Sequence, residues 1–322
     1  MSVISRVNKW RKSTNWVDAM PIYTLIVLVA LMAIGSPRFL LPSNLLGLLS
    51  QSATLLVMGI GQTFIILLGS IDLSIAAVAA FSTVLVAMFI PSLGYLAFGA
   101  ALVFGALAGL LTGVVHTKAR IPSFIASLGA SGLWIGMAFV VSNATPITVS
   151  SEHIYLTKWV TGVTLGVNNV VYIAILTLAI TYIIEKYTRF GRYVKAIGAG
   201  EKASMVSGVA IDRYKILAFI LCAILASFSG ALLSARMAGG SARMADGFQM
   251  KAIAVVVLGG TAISGGVGSV LRTFIGVLIV MVLDMGMNMI GINPWFQQAI
   301  YGGIIILAVA LTIDRSRITI IK

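Results

Sequence analysis

RFGRYVKAIGAGEKASMVSGVAIDRYK, residues 189–215, is the longest charged interruption in an otherwise apolar chain. On both sides of it the sequence reads as helix long and apolar enough to cross a bilayer. Such a crossing needs about 20 residues for a hydrocarbon core of ~30 Å. A polar stretch between two such helices must lie outside the hydrocarbon, so it marks where the chain surfaces. Working outward, apolar runs of the same kind recur towards both ends. Of the 322 residues, 59% are hydrophobic and 10% charged, with a mean hydropathy of +1.06. A soluble domain carries about 25% charged residues. A membrane β-barrel would show alternating segments of about 10 residues, and none is visible. The fold class expected is all-α: a polytopic membrane protein of about ten transmembrane helices in a single domain over residues 1–322.

The spans expected are Met20–Gly35, Asn44–Leu68 (interrupted by Gly59 and Gly61), Leu73–Ile90, Tyr95–Val115, Pro122–Val141 and Asn169–Glu185. After the polar loop come Ile216–Ser234, Lys251–Ile263, Val267–Ile290 and Trp295–Ile313. Turns fall at Gly69–Asp72, at Pro91 and Gly94, in the short basic loop His116–Arg120, and at Ser264-Gly265-Gly266. Helices broken near Gly69 and near Gly265 are therefore expected. The Ser/Thr-rich segment Asn143–Asn168 reads as an ordered surface loop or short hairpin. The basic N-terminus (Arg6, Lys9, Arg11, Lys12) followed by apolar sequence imitates a signal peptide. Ser36-Pro37-Arg38-Phe39 is a poor cleavage site, so the first span is read as uncleaved.

The net charge of +13 would suit nucleic acid, but in a membrane protein basic residues collect on the cytoplasmic side. With the N-terminus inside, the inner segments hold its basic cluster, Lys118, Arg120, the cations of 186–215, Arg272, Arg315, Arg317 and Lys322. The outer segments hold only Arg38, Lys158, Arg236, Arg243 and Lys251. That asymmetry puts both termini and the 188–215 loop in the cytoplasm, and Asn143–Asn168 outside.

Enzyme chemistry finds little material. No GxxxxGK[ST] loop is present, so the chain hydrolyses no nucleotide itself, and no HExxH or nucleophile elbow appears. Gly265-Gly266-Val267-Gly268 lacks the preceding strand of a phosphate-binding βαβ unit. The one cysteine, Cys222, excludes an internal disulfide, and His116 and His153 are too far apart in sequence for a metal-ligand pattern. No catalytic residue, cofactor or metal is expected.

Polar groups within spans are costly and mark pathways. Leu68–Ser74 and Leu258–Ser264 echo each other as glycine breaks that close apolar runs, and paired interruptions point to a transporter's central site. Two roles fit Asp72: capping the third span, where the helix dipole favours an acid, or touching a solute. Gln62, Thr63, Asn143, Gln249, Asn288, Gln297 and Gln298 suit either packing or a polyhydroxylated solute, on which Trp134 or Phe124 would stack. Lys251 and Asp284 are expected to pair: the acid lies roughly 9 Å deep at 1.5 Å per residue, and a lysine stem snorkels across part of that gap. The pathway residues selected are Asp72, Ser74, Phe124, Gln249, Lys251, Asp284 and Asn288.

Within the opening stretch, Gly198, Gly200 and Gly208 punctuate the chain. Glu201–Ser207 between them reads as one or two helical turns, with Gly200 as a cap and Glu201 in the first turn. Ala203, Met205, Val206 and Val209 give it a small apolar surface that fits a groove on another protein or lies on lipid.

GSIDLS (69–74), IPSFIASLG (121–129), TRFGRYVKAIGAGEKASMVSGV (188–209) and KAIAVVVLGGTAISGGVGS (251–269) together resemble the ribose-type permeases of bacterial ABC importers. That superfamily also holds branched-chain amino acid permeases. The resemblance covers essentially the whole chain. It implies an inner-membrane permease subunit, paired with an identical or related permease, two cytoplasmic ATP-binding chains and a periplasmic solute-binding protein, and importing a sugar by alternating access. The loop would then carry the ATPase-coupling helix, with Gly200, Glu201, Ala203, Ser204, Ser207 and Gly208 as the coupling residues. Departures stand near the outer mouth: Gln249 and Lys251 replace acids of the family's YELDAIAAVVLGG pattern, and Asp284 stands where asparagine is common. The competing readings are a permease for amino acids or nucleosides, and an ion-coupled secondary transporter.

Overall fold

The computed structural model describes residues 3–312, with side chains over 19–36, 38–293 and 296–306. The side chains of Arg6, Lys9, Arg11 and Lys12, and all of Ile313, Arg315, Arg317 and Lys322, on which the expected orientation leans, lie outside that description.

Thirteen α-helices follow in order among the described residues: α1 (Val3–Gly35), α2 (Pro42–Leu67), α3 (Ile75–Leu93), α4 (Leu96–Lys118), α5 (Ser123–Val141), α6 (Lys158–Thr161), α7 (Asn169–Tyr187), α8 (Arg189–Ala199), α9 (Glu201–Val206), α10 (Ile211–Met237), α11 (Phe248–Leu258), α12 (Val270–Met289) and α13 (Pro294–Thr312). Seven of them (α2, α3, α4, α5, α7, α10 and α12) are long and apolar enough to cross a membrane. Three shorter apolar helices lie at Ala19–Gly35, Phe248–Leu258 and Phe296–Ile306, below the length of a full crossing, so the expected figure of about ten spans is approximate. The protein is an all-α, multi-pass membrane protein.

The two breaks are real. Gly69 ends α2 with φ +72°, and Gly265 and Gly266 turn the chain between α11 and α12 with φ +87° and +78°, values that glycine reaches without strain. Other expected interruptions are not. Gly59 and Gly61 lie inside a continuous α2, where they serve close approach instead. A Cβ at Gly61 would stand 3.0 Å from the Cys222 carbonyl oxygen of α10, and one at Gly59 would stand 2.7 Å from Val255 of α11. Small residues let backbones meet where lipid supplies no hydrophobic drive. Pro91 sits within the last turn of α3, which runs on to Gly94, and His116–Lys118 form the last turn of α4 rather than a loop. The span expected over Lys251–Ile263 is shorter: α11 ends at Leu258, because Gly259 and Gly260 begin the break.

α2 is the axis of the bundle. Its residues Ser52–Leu67 are all buried, enclosed by α7, α10, α11 and α12, while α10 also packs on α3 and α4. Segment 143–168 is ordered, as expected. Strand β1 (Ile147–Thr148) pairs antiparallel with a second two-residue strand at Gly239–Gly240, and Val163–Thr164 pairs with Val167–Asn168 in a small hairpin. The first pairing ties the end of α5 to the end of α10, so both lie on one face of the bundle, called here the hairpin face. On the opposite face the end of α8 lies beside both helix breaks, and α9 follows it.

Candidate functional site

Two features stand out, one at each face. At the hairpin face, α2, α10, the turns before α11, α11 itself and α12 enclose a cleft of about 440 Å³. Gln51, Thr54, Arg236, Lys251 and Asp284 bring polar groups to it, and Leu55, Leu233, Met237, Met244, Phe248 and Met281 bring apolar ones. Lys251 and Asp284 meet there: Lys251 Nζ donates to Asp284 Oδ2 at 2.6 Å, with side-chain exposures of 23% and 9%. The other oxygen, Oδ1, accepts the hydroxyl of buried Tyr301 from α13. One carboxylate thus ties α11, α12 and α13 together, and Lys251 also stands 5.5 Å from the Tyr301 ring centre. A charge held at that depth is retained only with partners. Arg236, in the last turn of α10, makes no ion pair among the described residues, so the cleft carries a net positive charge.

Sequence reasoning missed Gln51, Thr54 and Arg236. The apolar run ends at Ser234, which leaves Arg236 in an outer segment, whereas the helix continues to Met237. Its signal was available: a lone arginine at the end of a span. Gln51 and Thr54 gave none, since a face of α2 is defined only by its neighbours.

The remaining expected pathway residues lie elsewhere. Gln249 lines a smaller neighbouring space of about 240 Å³ with Ala76, Ala80, Ser131, Ile135 and Asp246. Asp72 and Ser74 are buried at the first break, where Asp72 Oδ1 accepts the Ser74 amide at 2.7 Å and its hydroxyl at 2.6 Å. The carboxylate therefore orders the entry to α3 from two residues ahead of its cap position, which is held by Ser74. Asn288, near the end of α12, accepts from Gln297 of α13 at 2.8 Å. Phe124 is half exposed on α5 and lines none of these spaces. Trp134 packs edge-on against Phe104. Thr63 meets Thr273 across α2 and α12 at 2.6 Å, while Gln62 is fully buried with neither amide atom bonded among the described residues.

At the opposite face, α9 is the short helix expected between Gly200 and Gly208. Ser204 is buried and anchors it, and Lys215 bridges to Glu201 at 2.8 Å. Glu201, Ala203, Ser207 and Gly208 are exposed. Met205 and Val206 are 61% and 90% exposed, an apolar pair set among charges. Gly208 closes the helix with φ +81°. This is a presented surface rather than a packed one.

Known proteins share this arrangement of sequence. A family model described as branched-chain amino acid transport system / permease component matches residues 44–309. The ribose import permease of Escherichia coli K12 is 36% identical over 290 residues, covering 88% of this chain and 90% of its own. The ribose import permease of Bacillus subtilis is 35% identical, covering 92% of each. The galactose/methyl galactoside import permease of Salmonella typhimurium is 30% identical, covering 96% and 97%. No solved structure is significantly similar. A match over most of the chain, glycine breaks and charged loop included, shows that the protein belongs to the permease-component family of branched-chain amino acid transport systems.

Proposed function

We propose that the chain is the permease subunit of an ATP-driven importer and carries a monosaccharide or close derivative through the inner membrane. The observation that carries this reading is the hairpin-face cleft. Its volume suits one sugar ring with some water. Its amide, hydroxyl and guanidinium groups suit ring hydroxyls, and Phe248 with the methionines suits the C–H face. Relatives named for ribose, galactose and arabinose import support a sugar over an amino acid or nucleoside. An ion-coupled carrier is not favoured, because the buried acids Asp72 and Asp284 are already engaged by Ser74, Lys251 and Tyr301.

In this reading the hairpin face is external, and a periplasmic solute-binding protein delivers the sugar there. One of two ATP-binding chains docks on α9, and a second permease, identical or related, takes the other and completes the pathway. Both termini are cytoplasmic. ATP closes the ATPase pair, α9 moves, and the breaks near Gly69 and Gly265 let α3, α11 and α12 re-aim. The assembled transporter in liposomes will take up radiolabelled pentose or hexose only with ATP and binding protein, and vanadate will stop it. Vanadate-insensitive uptake by this chain alone would overturn the reading.

A further inference from the structure

α9 presents itself to a partner, and the helix before it reaches both breaks. α8 buries Gly191, Val194 and Ile197 and packs Phe190, tilted at 45°, against Phe64 of α2 at 5.6 Å between ring centres. Its C-terminal turn sits on both breaks at once. A Cβ on Gly198 would collide with the Leu67 carbonyl at the end of α2, and would stand 2.6 Å from the Gly266 amide. That amide donates to the same Leu67 carbonyl at 2.9 Å. A Cβ on Gly265 would stand 2.7 Å from the Gly69 amide, and one on Gly266 would stand 2.8 Å from the Ala199 Cα. Three backbones therefore meet with no side chain between them: the first break, the second break and the end of α8.

A second connection lies one turn earlier. Glu185, at the end of α7, is 4% exposed. Its Oε1 takes Lys195 of α8 at 2.6 Å, and its Oε2 accepts the Val270 amide at 2.8 Å. Val270 is the first residue of α12, whose amide has no partner within its own helix and favours an anion. One carboxylate therefore clamps α8 to the start of the helix that follows the second break.

We propose that α8 is the transmission element. It moves with α9 and displaces both helix breaks together, and Glu185, Lys195 and Gly198 are positioning residues for that coupling. The proposal rests on the reading of α9 as the ATPase dock. Packed, discrete contacts of this kind transmit a displacement that a flexible loop would absorb.

The test uses the complete transporter in liposomes, with ATP hydrolysis and sugar uptake measured on the same vesicles. Lys195→Met removes the partly exposed partner on α8 and is expected to fold. Glu185→Gln keeps an acceptor for Val270 but loses the charge. Both should raise the ATP hydrolysed per sugar imported by about tenfold, within the range of a site-to-site coupling, with hydrolysis retained. Lys195→Arg should restore the wild-type ratio. A ratio unchanged in Lys195→Met and Glu185→Gln overturns the proposal, as does a proportional fall of uptake and hydrolysis. Wild-type uptake insensitive to vanadate overturns the reading beneath it as well.

Discussion

Replacing Lys251 with methionine is expected to abolish uptake and to destabilise the protein measurably. The substitution keeps the apolar stem but leaves the Asp284 carboxylate buried with only the Tyr301 hydroxyl as partner. Removing one member of a fully buried ion pair costs about 3–5 kcal/mol. Here the lysine side chain is 23% exposed, so water relieves part of that penalty and about 1–3 kcal/mol is the better figure. The damage follows from an orphaned charge, not from a lost attraction. Lys251→Met with Asp284→Asn should therefore regain most of the thermal midpoint in detergent, because a neutral amide tolerates the site. A double variant no more stable than the single one would show that the pair does not hold α11 to α12.

Tryptophan at both Ala203 and Ser207 is expected to uncouple the transporter. Both positions are exposed, Ala203 within a helix of six residues and Ser207 at its C-cap, next to the exposed Met205 and Val206. A partner approaching those apolar side chains meets small neighbours and can come close. An indole buries about 150–250 Å² where it packs, too much to fit at such an approach without displacing the partner. The buried Ser204 and the Glu201–Lys215 bridge are untouched, so membrane insertion and yield should match wild type. Uptake should fall by about tenfold or more, with hydrolysis no longer stimulated by loaded binding protein. Uptake at the wild-type rate would remove α9 from the mechanism.

Hydropathy made the bundle legible because hydrocarbon thickness sets helix length, so most ends fell within a few residues. Glycine was harder to read. Gly69 and Gly265 take a positive φ, whereas Gly59 and Gly61 serve close contact inside an unbroken helix, and nothing local distinguishes the two uses. Lys251 and Asp284 could be matched because opposite charges within neighbouring spans have few alternatives. Arg236, Gln51 and Thr54 could not be placed in the cleft without knowing which helices enclose it. The pairing of Ile147–Thr148 with Gly239–Gly240 joins two-residue segments about ninety positions apart, too short to leave a pattern. In the charged stretch 189–215 the glycine spacing points to the second half as a dock, yet α8 in its first half makes the contacts with both breaks.

Access to the hairpin-face cleft is expected to be set from α9 on the other side of the bundle. Cys222 is fully buried, so a single cysteine introduced by Gln51→Cys at the cleft gives a clean signal with a membrane-impermeant thiol reagent added outside. The labelling rate in the assembled transporter is expected to change by about tenfold between the nucleotide-free and vanadate-trapped states. The same rate in both states would contradict it.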